Sequence, residues 1–383
     1  MAEGTSMRVL IAVDSFKGSF SSLEVAEWLR AGVCRVYPEA VIDAVPIADG
    51  GEGTVSALRT ALGGRTMHCL VHGPLVQVVE AQYLMADNGT AFMEMAEAAG
   101  LCLVEPSHRD PSLASTFGVG QMMLDAIDHG ATRIILGLGG SATNDGGAGM
   151  ARALGARFLK ADGTDIEPSG FGLSALDHVD VSGMDKRLHA IPIVAACDVD
   201  NPLYGPSGAS MVFGPQKGGT PETLQMLDEN LAHLAHVIHR DLGVDIGTVA
   251  GGGAAGGLCA GLVAFCDANV ERGIDVVMDA MGIDERIARA DIVLTGEGRM
   301  DAQTCRGKVP VGVAKRAKLQ GKPVFGIAGY LGEGHEHVYA YGVDAAFSAI
   351  VAPMSLEEAI TASGPNLSDA TERLFRTIKA IWK

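Results

Sequence analysis

The sequence predicts an α/β fold built on parallel sheet and divided into two domains. Three observations carry that expectation. Short β-branched apolar runs alternate with segments of helical spacing, the order that a parallel sheet with crossover helices requires. Glycine is abundant, 51 of 383 residues, and gathers in clusters that each follow an apolar run, where such folds turn toward ligands. The same strand–loop–helix grammar recurs at both ends of the chain while the middle departs from it, and the length allows two hydrophobic cores.

Taken in order, Arg8–Val13 reads as a buried strand running into Asp14-Ser15-Phe16-Lys17-Gly18-Ser19. A helix is expected from about Ser22, because Ser21 and Glu24 have the spacing of a capping box and Leu23, Ala26, Leu29, Val33 and Val36 recur at helical intervals. Pro38 helps to stop it. Val41–Ile47 is the next strand, it leads into Ala48-Asp49-Gly50-Gly51-Glu52-Gly53, and a helix over roughly 54–62 closes the unit. In the middle, Leu75–Met85 and Thr90–Met95 read as shorter strands joined by the hairpin signal Asp87-Asn88-Gly89. Arg133–Leu138 is a strand leading into the run 139–147 (GGSATNDGG) and a helix through Leu154, and Ile191–Cys197 is a strand ending at Asp198. Thr220–Leu242 is the clearest helix, with Pro221 in its first turn and Leu224, Leu227, Leu231, Leu234 and Ile238 along one face. Its His233, His236 and His239 are expected as exposed helix histidines rather than metal ligands.

The tail repeats the opening grammar. Asp291–Thr295 is a strand ending in Gly296-Glu297-Gly298-Arg299, Val309–Leu319 a helix, Pro323–Ala328 a strand ending at Gly329, and Ala345–Val351 another strand. Ser355 and Glu358 form a second capping box ahead of two closing helices, broken near Gly364-Pro365. The expected organisation is a discontinuous parallel-sheet domain from residues 1–66 and 290–383, with residues 67–289 inserted as a second α/β domain.

Bulk properties narrow the function. A formal net charge of -17 repels nucleic acid and anionic lipid while leaving room for an anionic small molecule in a locally positive pocket. The first residues lack the apolar run of a secretory signal, and no apolar stretch approaches the roughly 18 residues of a membrane span. Seven scattered cysteines without a C-x-x-C pair argue against a disulfide framework or a zinc site and fit a reducing cytoplasm. Nothing here fixes the oligomeric state, and a homo-oligomer stays open.

In open parallel sheets, ligands bind outside the carboxyl ends of the strands. Polar or Gly-rich loops follow five of the expected strands: 14–17, 49–53, 139–147, 198–201 and 297–301. Each alone is also an ordinary turn using Asp and Gly for backbone reasons. Together they predict one ligand cleft. The consecutive glycines Gly139 and Gly140, with Ser141 and Asn144 behind them, suit a phosphate or carboxylate held by backbone N–H groups. The second cluster, 251–257, reads equally as an anion-binding turn or as close packing of a small-residue helix. A Walker A loop is absent, as is a kinase-type G-x-G-x-x-G with its catalytic loop. Phosphoryl transfer on any other scaffold still needs cations on the phosphates, carboxylates for Mg²⁺ and a base at the attacking hydroxyl. Asp49, Glu52, Glu297 and Asp301 are the candidate metal carboxylates. Lys17, Lys217, Arg299 and Lys308 are the candidate cations, and Asp198 is the candidate base.

Seven stretches carry a resemblance: Ile11–Ser19 (IAVDSFKGS), Ala48–Thr54 (ADGGEGT), Gly137–Met150 (GLGGSATNDGGAGM), Ala196–Leu203 (ACDVDNPL), Val212–Gly218 (VFGPQKG), Gly251–Leu258 (GGGAAGGL) and Leu294–Pro310 (LTGEGRMDAQTCRGKVP). In these segments, in this order and across almost the whole chain, the sequence resembles the bacterial glycerate kinase family. Val13 stands where the family often has Pro, and Cys259 where it often has Gly. The resemblance implies a Rossmann-like domain formed by both chain ends with an inserted α/β domain, and phosphorylation of D-glycerate by ATP and Mg²⁺, usually to 2-phosphoglycerate. Placed on the matching segments, Lys17 and Asp198 are expected to be catalytic. Ser15, Gly139, Gly140, Ser141, Asn144, Asn201, Lys217, Arg299 and Lys308 are expected to bind substrate or phosphate. The alternatives are a kinase for the 3-hydroxyl or for another small hydroxy acid, and a non-catalytic sugar-acid sensor.

Overall fold

The computed structural model describes residues 6–16, 19–47, 58–59, 62–167 and 169–381. Its strands, in chain order, are β1 (Arg8–Val13), β2 (Val41–Pro46), β3 (Arg65–His72), β4 (Val78–Met85), β5 (Thr90–Glu94), β6 (Arg133–Gly137), β7 (Arg157–Leu159), β8 (His178–Asp180), β9 (Ile193–Ala196), β10 (Asn269–Glu271), β11 (Ile292–Met300), β12 (Val324–Leu331) and β13 (Ala345–Ser348). The chain separates into two compact units, one of residues 1–62 with 274–383 and one of residues 63–273. The inserted unit thus ends at 273, not 289. The helices Gly273–Ala280 and Ile283–Arg289 have no Gly-rich loop to announce them, and Ile283–Arg289 packs on β1 and on the helix Val309–Leu319.

The unit formed by the chain ends holds a five-stranded sheet in the order β13-β12-β11-β1-β2, parallel throughout. Counted within the unit, that order is 2-1-3-4-5, the doubly wound arrangement whose direction reverses between β1 and β11. Side chains alternate across a strand. Val9, Ile11 and Val13 accordingly join one buried cluster with Val25, Leu29 and Val33 of the helix Ser22–Cys34 and Leu367, Leu374 and Phe375 of the helix Ser363–Ile381. Leu10 and Ala12, on the other face, are fully buried as well. Burial on both faces explains why these strands read as continuous apolar runs. Both expected capping boxes form: the Ser21 and Ser355 hydroxyls accept the N–H groups of Glu24 and Glu358, whose carboxylates accept the N–H groups of the two serines.

The inserted unit holds a six-stranded sheet, β10-β9-β6-β5-β4-β3, in which β5, β6, β9 and β10 are parallel and β3 and β4 antiparallel. The Asp87-Asn88-Gly89 hairpin joins β4 to β5, with Gly89 at a φ of 81°. Because β6 and β9 are parallel neighbours, the loops after them, 139–147 and 198–201, leave the same edge of the sheet. Several features escaped the sequence reading, the short strands β7, β8 and β10 among them; the longest in this unit are β3, an edge strand with little buried side-chain surface, and the helix Phe117–Asp128. That helix carries two glycines that depress helix propensity. They are needed because a Cβ on Gly118 would meet the His72 carbonyl at 1.9 Å, and one on Gly120 the Met150 carbonyl at 2.4 Å.

Candidate active site

The residues expected at the site fall into two groups, one in each unit. Lys17, Asp49 and Glu52 lie outside the described residues.

In the chain-end unit, β1 and β11 deliver their loops side by side at the point where the strand order reverses. The Asp14 N–H donates to the Gly296 carbonyl at 3.0 Å and ties the start of the loop after β1 to the strand β11, which runs on through Glu297 and Arg299 to Met300 rather than stopping at Thr295. Asp14 is buried, and its carboxylate accepts the Ser15 N–H at 2.6 Å. Glu297 is 5 % exposed at the end of β11. Its Oε1 accepts the Thr304 hydroxyl at 2.5 Å and its Oε2 the Lys308 ammonium at 2.9 Å. Burial pushes the Glu297 carboxyl up, opposed by those two donors. Asp301 accepts the Gln303 N–H at 2.8 Å and pairs with Arg299 at 2.9 Å, and its own N–H donates to the Thr304 hydroxyl. Thr304 therefore receives the Asp301 N–H and passes its proton to Glu297. That bridge makes Thr304 a site residue the sequence reading missed; its only signal was a position three residues after Asp301.

Asp14, Ser15, Glu297, Arg299 and Lys308 line a cavity of about 680 Å³ within this unit. Phe16, Tyr330, Ala349, Ile350, Met354 and residues of the two closing helices line it too. Among the described residues, no three His, Cys, Asp or Glu side chains group to hold a metal ion.

The inserted unit treats its polar residues differently. Gly139 and Gly140 are exposed at the end of β6, Gly140 at a φ of 72°. Ser141, Thr143, Asn144 and Asp145 behind them are buried. Lys217, 2 % exposed, donates to the Ser141 hydroxyl at 2.8 Å and the Thr143 carbonyl at 2.7 Å. Burial lowers its pKa to about 7, with the charge of Asp145 pulling the other way. Asp145 has no exposed surface and accepts the Thr116 N–H at 2.7 Å, the Thr116 hydroxyl at 2.8 Å and the N–H groups of Gly147 and Gly149 at 3.1 and 3.2 Å. The Thr116 hydroxyl itself accepts the Met150 N–H, so its proton points at Asp145. Burial raises the Asp145 carboxyl against those four donors. Asn144 donates to the Ser210 hydroxyl at 2.9 Å, and its Oδ1 has no partner among the described residues.

The second glycine cluster resolves toward close packing. Cβ atoms on Gly256, Gly257 and Gly261 would meet backbone atoms of residues 143–147 at 1.9, 2.8 and 2.6 Å. Asn201 is occupied within its own turn, donating to the Ser207 carbonyl at 2.8 Å. Asp198 is exposed and accepts the N–H of Gly273, the first residue of the helix Gly273–Ala280, at 2.9 Å. Of the helix histidines, His236 and His239 are exposed, while His233 donates to the Leu176 carbonyl at 2.7 Å.

A doubly wound sheet whose reversal point carries buried carboxylates and a paired lysine, beside a cavity of ligand size, defines an α/β enzyme with its candidate site outside the carboxyl ends of its strands. Comparison with known proteins gives the family. The profile of the glycerate kinase family matches residues 9–379. A glycerate kinase of Halalkalibacterium halodurans is 48% identical over 96% of this chain and 97% of its own length. A glycerate 2-kinase of Escherichia coli K12 is 46% identical over 97% and 98%. A crystal structure assigned as glycerate kinase 2 from Salmonella typhimurium LT2 superposes with a TM-score of 0.89 at 49% identity, covering 98% of this chain and 99% of that one. The chain belongs to the glycerate kinase family, and it is a phosphotransferase with an alcohol acceptor.

Proposed function

We propose that this enzyme transfers the γ-phosphoryl group of ATP in line to the 2-hydroxyl of D-glycerate. The observation that carries the reading is the family match across residues 9–379. The position on glycerate is supported by the Escherichia coli relative, which is named a glycerate 2-kinase. The seven cysteines are unpaired, which supports a cytoplasmic location.

In this reading Lys17 offsets charge on the transferred phosphoryl group, and Asp198 orients or deprotonates the 2-hydroxyl. Ser15, Arg299 and Lys308 face the phosphates. Gly139 and Gly140 hold the glycerate carboxylate through backbone N–H groups, and Asn144, buried with its amide on the Ser210 hydroxyl, supports that loop from behind. Ser141, Lys217 and Asn201 act through the loops they bind, since their polar atoms are already engaged there. Asp49, Glu52, Glu297 and Asp301 are the carboxylates that would hold Mg²⁺. Their hard oxygen donors suit an ion that is usually bound by one or two carboxylates plus substrate phosphates. Bound there, it would neutralise phosphate charge.

The test is ADP release with ATP and D-glycerate, followed by phosphorus NMR of the product. A 2-phosphoglycerate resonance is expected, and 3-phosphoglycerate would overturn the position assigned. Asp198→Asn is expected to lower kcat by about 10²-fold or more with little change in ATP affinity. Unchanged turnover would remove Asp198 from the mechanism.

A further inference from the structure

We propose that the cavity of the chain-end unit is the nucleoside pocket of the enzyme, and that Asn366 reads the adenine base there; the inference rests on the reading that ATP is the phosphoryl donor. The cavity measures about 680 Å³, within the range of cofactor sites. It is far larger than a three-carbon acid needs, and much of its wall is hydrocarbon or aromatic. Glycerate carries a polar group on every carbon and has no surface to match such a wall. A purine ring does.

The wall itself suits a ligand. Tyr330 is 50% exposed and Ile360 40% exposed, yet both line this cavity together with Ile350 and Met354. Apolar side chains exposed into one concavity mark a ligand surface more readily than apolar side chains scattered over a protein. The cavity also offers two kinds of surface. Ser15, Glu297 and Lys308 stand at the carboxyl ends of β1 and β11, where an α/β sheet places phosphate. Tyr330, Ile350 and Met354, from the ends of the neighbouring β12 and β13 and beyond, add apolar wall together with Ala359 and Ile360 of the helix Leu356–Thr361. A nucleotide needs both kinds, charge for its phosphates and a flat apolar wall for its base.

Asn366 supplies base identity. It lies on the cavity wall in the first turns of the helix Ser363–Ile381. Its backbone N–H is used by the Ala362 carbonyl, while its side-chain amide makes no hydrogen bond among the described residues. An Asn amide offers one donor and one acceptor in a plane, which pairs with N7 and N6–H₂ of adenine. Guanine presents two acceptors on that edge, N7 and O6, and leaves the amide oxygen opposed by an acceptor. The pocket is therefore expected to prefer adenine over guanine nucleotides.

The primary experiment uses the native protein. Irradiation with 8-azido-ATP, then proteolysis and mass spectrometry, is expected to label peptides containing Tyr330 or residues 349–366, with ATP protecting them. Label confined to other peptides overturns the assignment. Two variants then sharpen it. Ala359→Trp narrows the cavity and Asn366→Leu removes the amide; each is expected to raise the KM for ATP about tenfold or more while the KM for glycerate stays within about twofold. Asn366→Leu is also expected to reduce the preference for ATP over GTP. An unchanged KM for ATP in both variants, or an equal rise for both substrates, overturns the proposal; should either variant fail to fold, the labelling result on the native protein decides. Glycerate phosphorylation by native enzyme with no labelling of this wall would leave the donor intact and sink the pocket, whereas no ATP-dependent phosphorylation at all would sink the donor itself.

Discussion

The end of β11 with the turn that follows it and the loop after β6 look alike in sequence, each rich in Gly and polar residues behind an apolar run, but they use their charges in opposite ways. At the end of β11, Glu297 pairs with Lys308 from beyond the strand at the edge of a cavity, with the Lys308 side chain 34% exposed. Around the loop after β6, Asp145 and, from a distant turn, Lys217 are buried and spend their hydrogen bonds on the loop's own groups and on Thr116. The first arrangement leaves charge able to meet a ligand. The second builds a rigid frame that points the exposed Gly139 and Gly140 outward. Charges that seem equivalent in a sequence thus divide into those left able to meet a ligand and those that shape a loop.

The sharpest way to break this contrast is Asp145→Ala. It strands three N–H donors and the Thr116 hydroxyl inside the inserted unit. Breaking a buried, multiply bonded carboxylate is expected to destabilise the protein by about 3–5 kcal/mol. Urea unfolding measures it, and a loss below about 1 kcal/mol would mean that the network does not frame the loop.

Lys217→Met comes next, and its signature is pH dependence. Folded, Lys217 gives up its proton near pH 7, whereas an unfolded lysine keeps it to the ordinary value of 10.5. Between those values the unfolded state binds more protons, so stability rises with pH by up to about 1.4 kcal/mol per unit. Below pH 7 both states are protonated and this contribution is flat at its least favourable. Lys217→Met removes the rise, so the substitution is expected to cost least near pH 6 and most near pH 10. Parallel stability curves for the two proteins would contradict the burial of the amine.

At the other loop the expected loss is activity rather than stability. Glu297→Gln abolishes the anion facing Lys308 and Thr304 while relieving the burial of a carboxylate. We expect kcat to fall about 10²-fold with a melting temperature within a few degrees of native. A kcat within threefold of native, by a coupled ADP-release assay, would place Glu297 with the framing residues instead.

The difference between the loops was hidden from the sequence for a definite reason. The fold was legible where its determinants are local: the capping boxes at Ser21 and Ser355, the hairpin at Gly89 and the apolar runs of β1, β6 and β11 each announce themselves within a few residues. The helix Phe117–Asp128 was not, because Gly118 and Gly120 answer to the backbone of His72 and Met150, far away in the chain. The site follows the same rule. Glu297, Asp301 and Lys308 lie within one short segment and could be proposed together. Asp145 meets Thr116, and Lys217 meets Ser141, only after the inserted unit has folded. Lys217 therefore read as a free cation for phosphate, and Asp145 as one more loop residue.

The smallest expected effect discriminates most finely within the exposed loop. Arg299 pairs with Asp301 at 2.9 Å, but its side chain is 68% exposed. Exposed pairs contribute about 0–1 kcal/mol, because water screens them and side-chain entropy opposes them. The turn does not need the arginine, since Asp301 still accepts the Gln303 N–H and still donates its own N–H to Thr304. Arg299→Ala is therefore expected to leave stability within about 0.5 kcal/mol of native. If its guanidinium meets phosphate, the KM for ATP rises several-fold at low salt, kcat is largely kept, and Arg299→Lys restores only part of the loss, because an ammonium cannot reproduce the two-pronged contact. A KM for ATP that does not move would leave Lys308 as the phosphate-facing cation of this loop among the described residues, and its pairing with Glu297 would then have to loosen when the nucleotide binds.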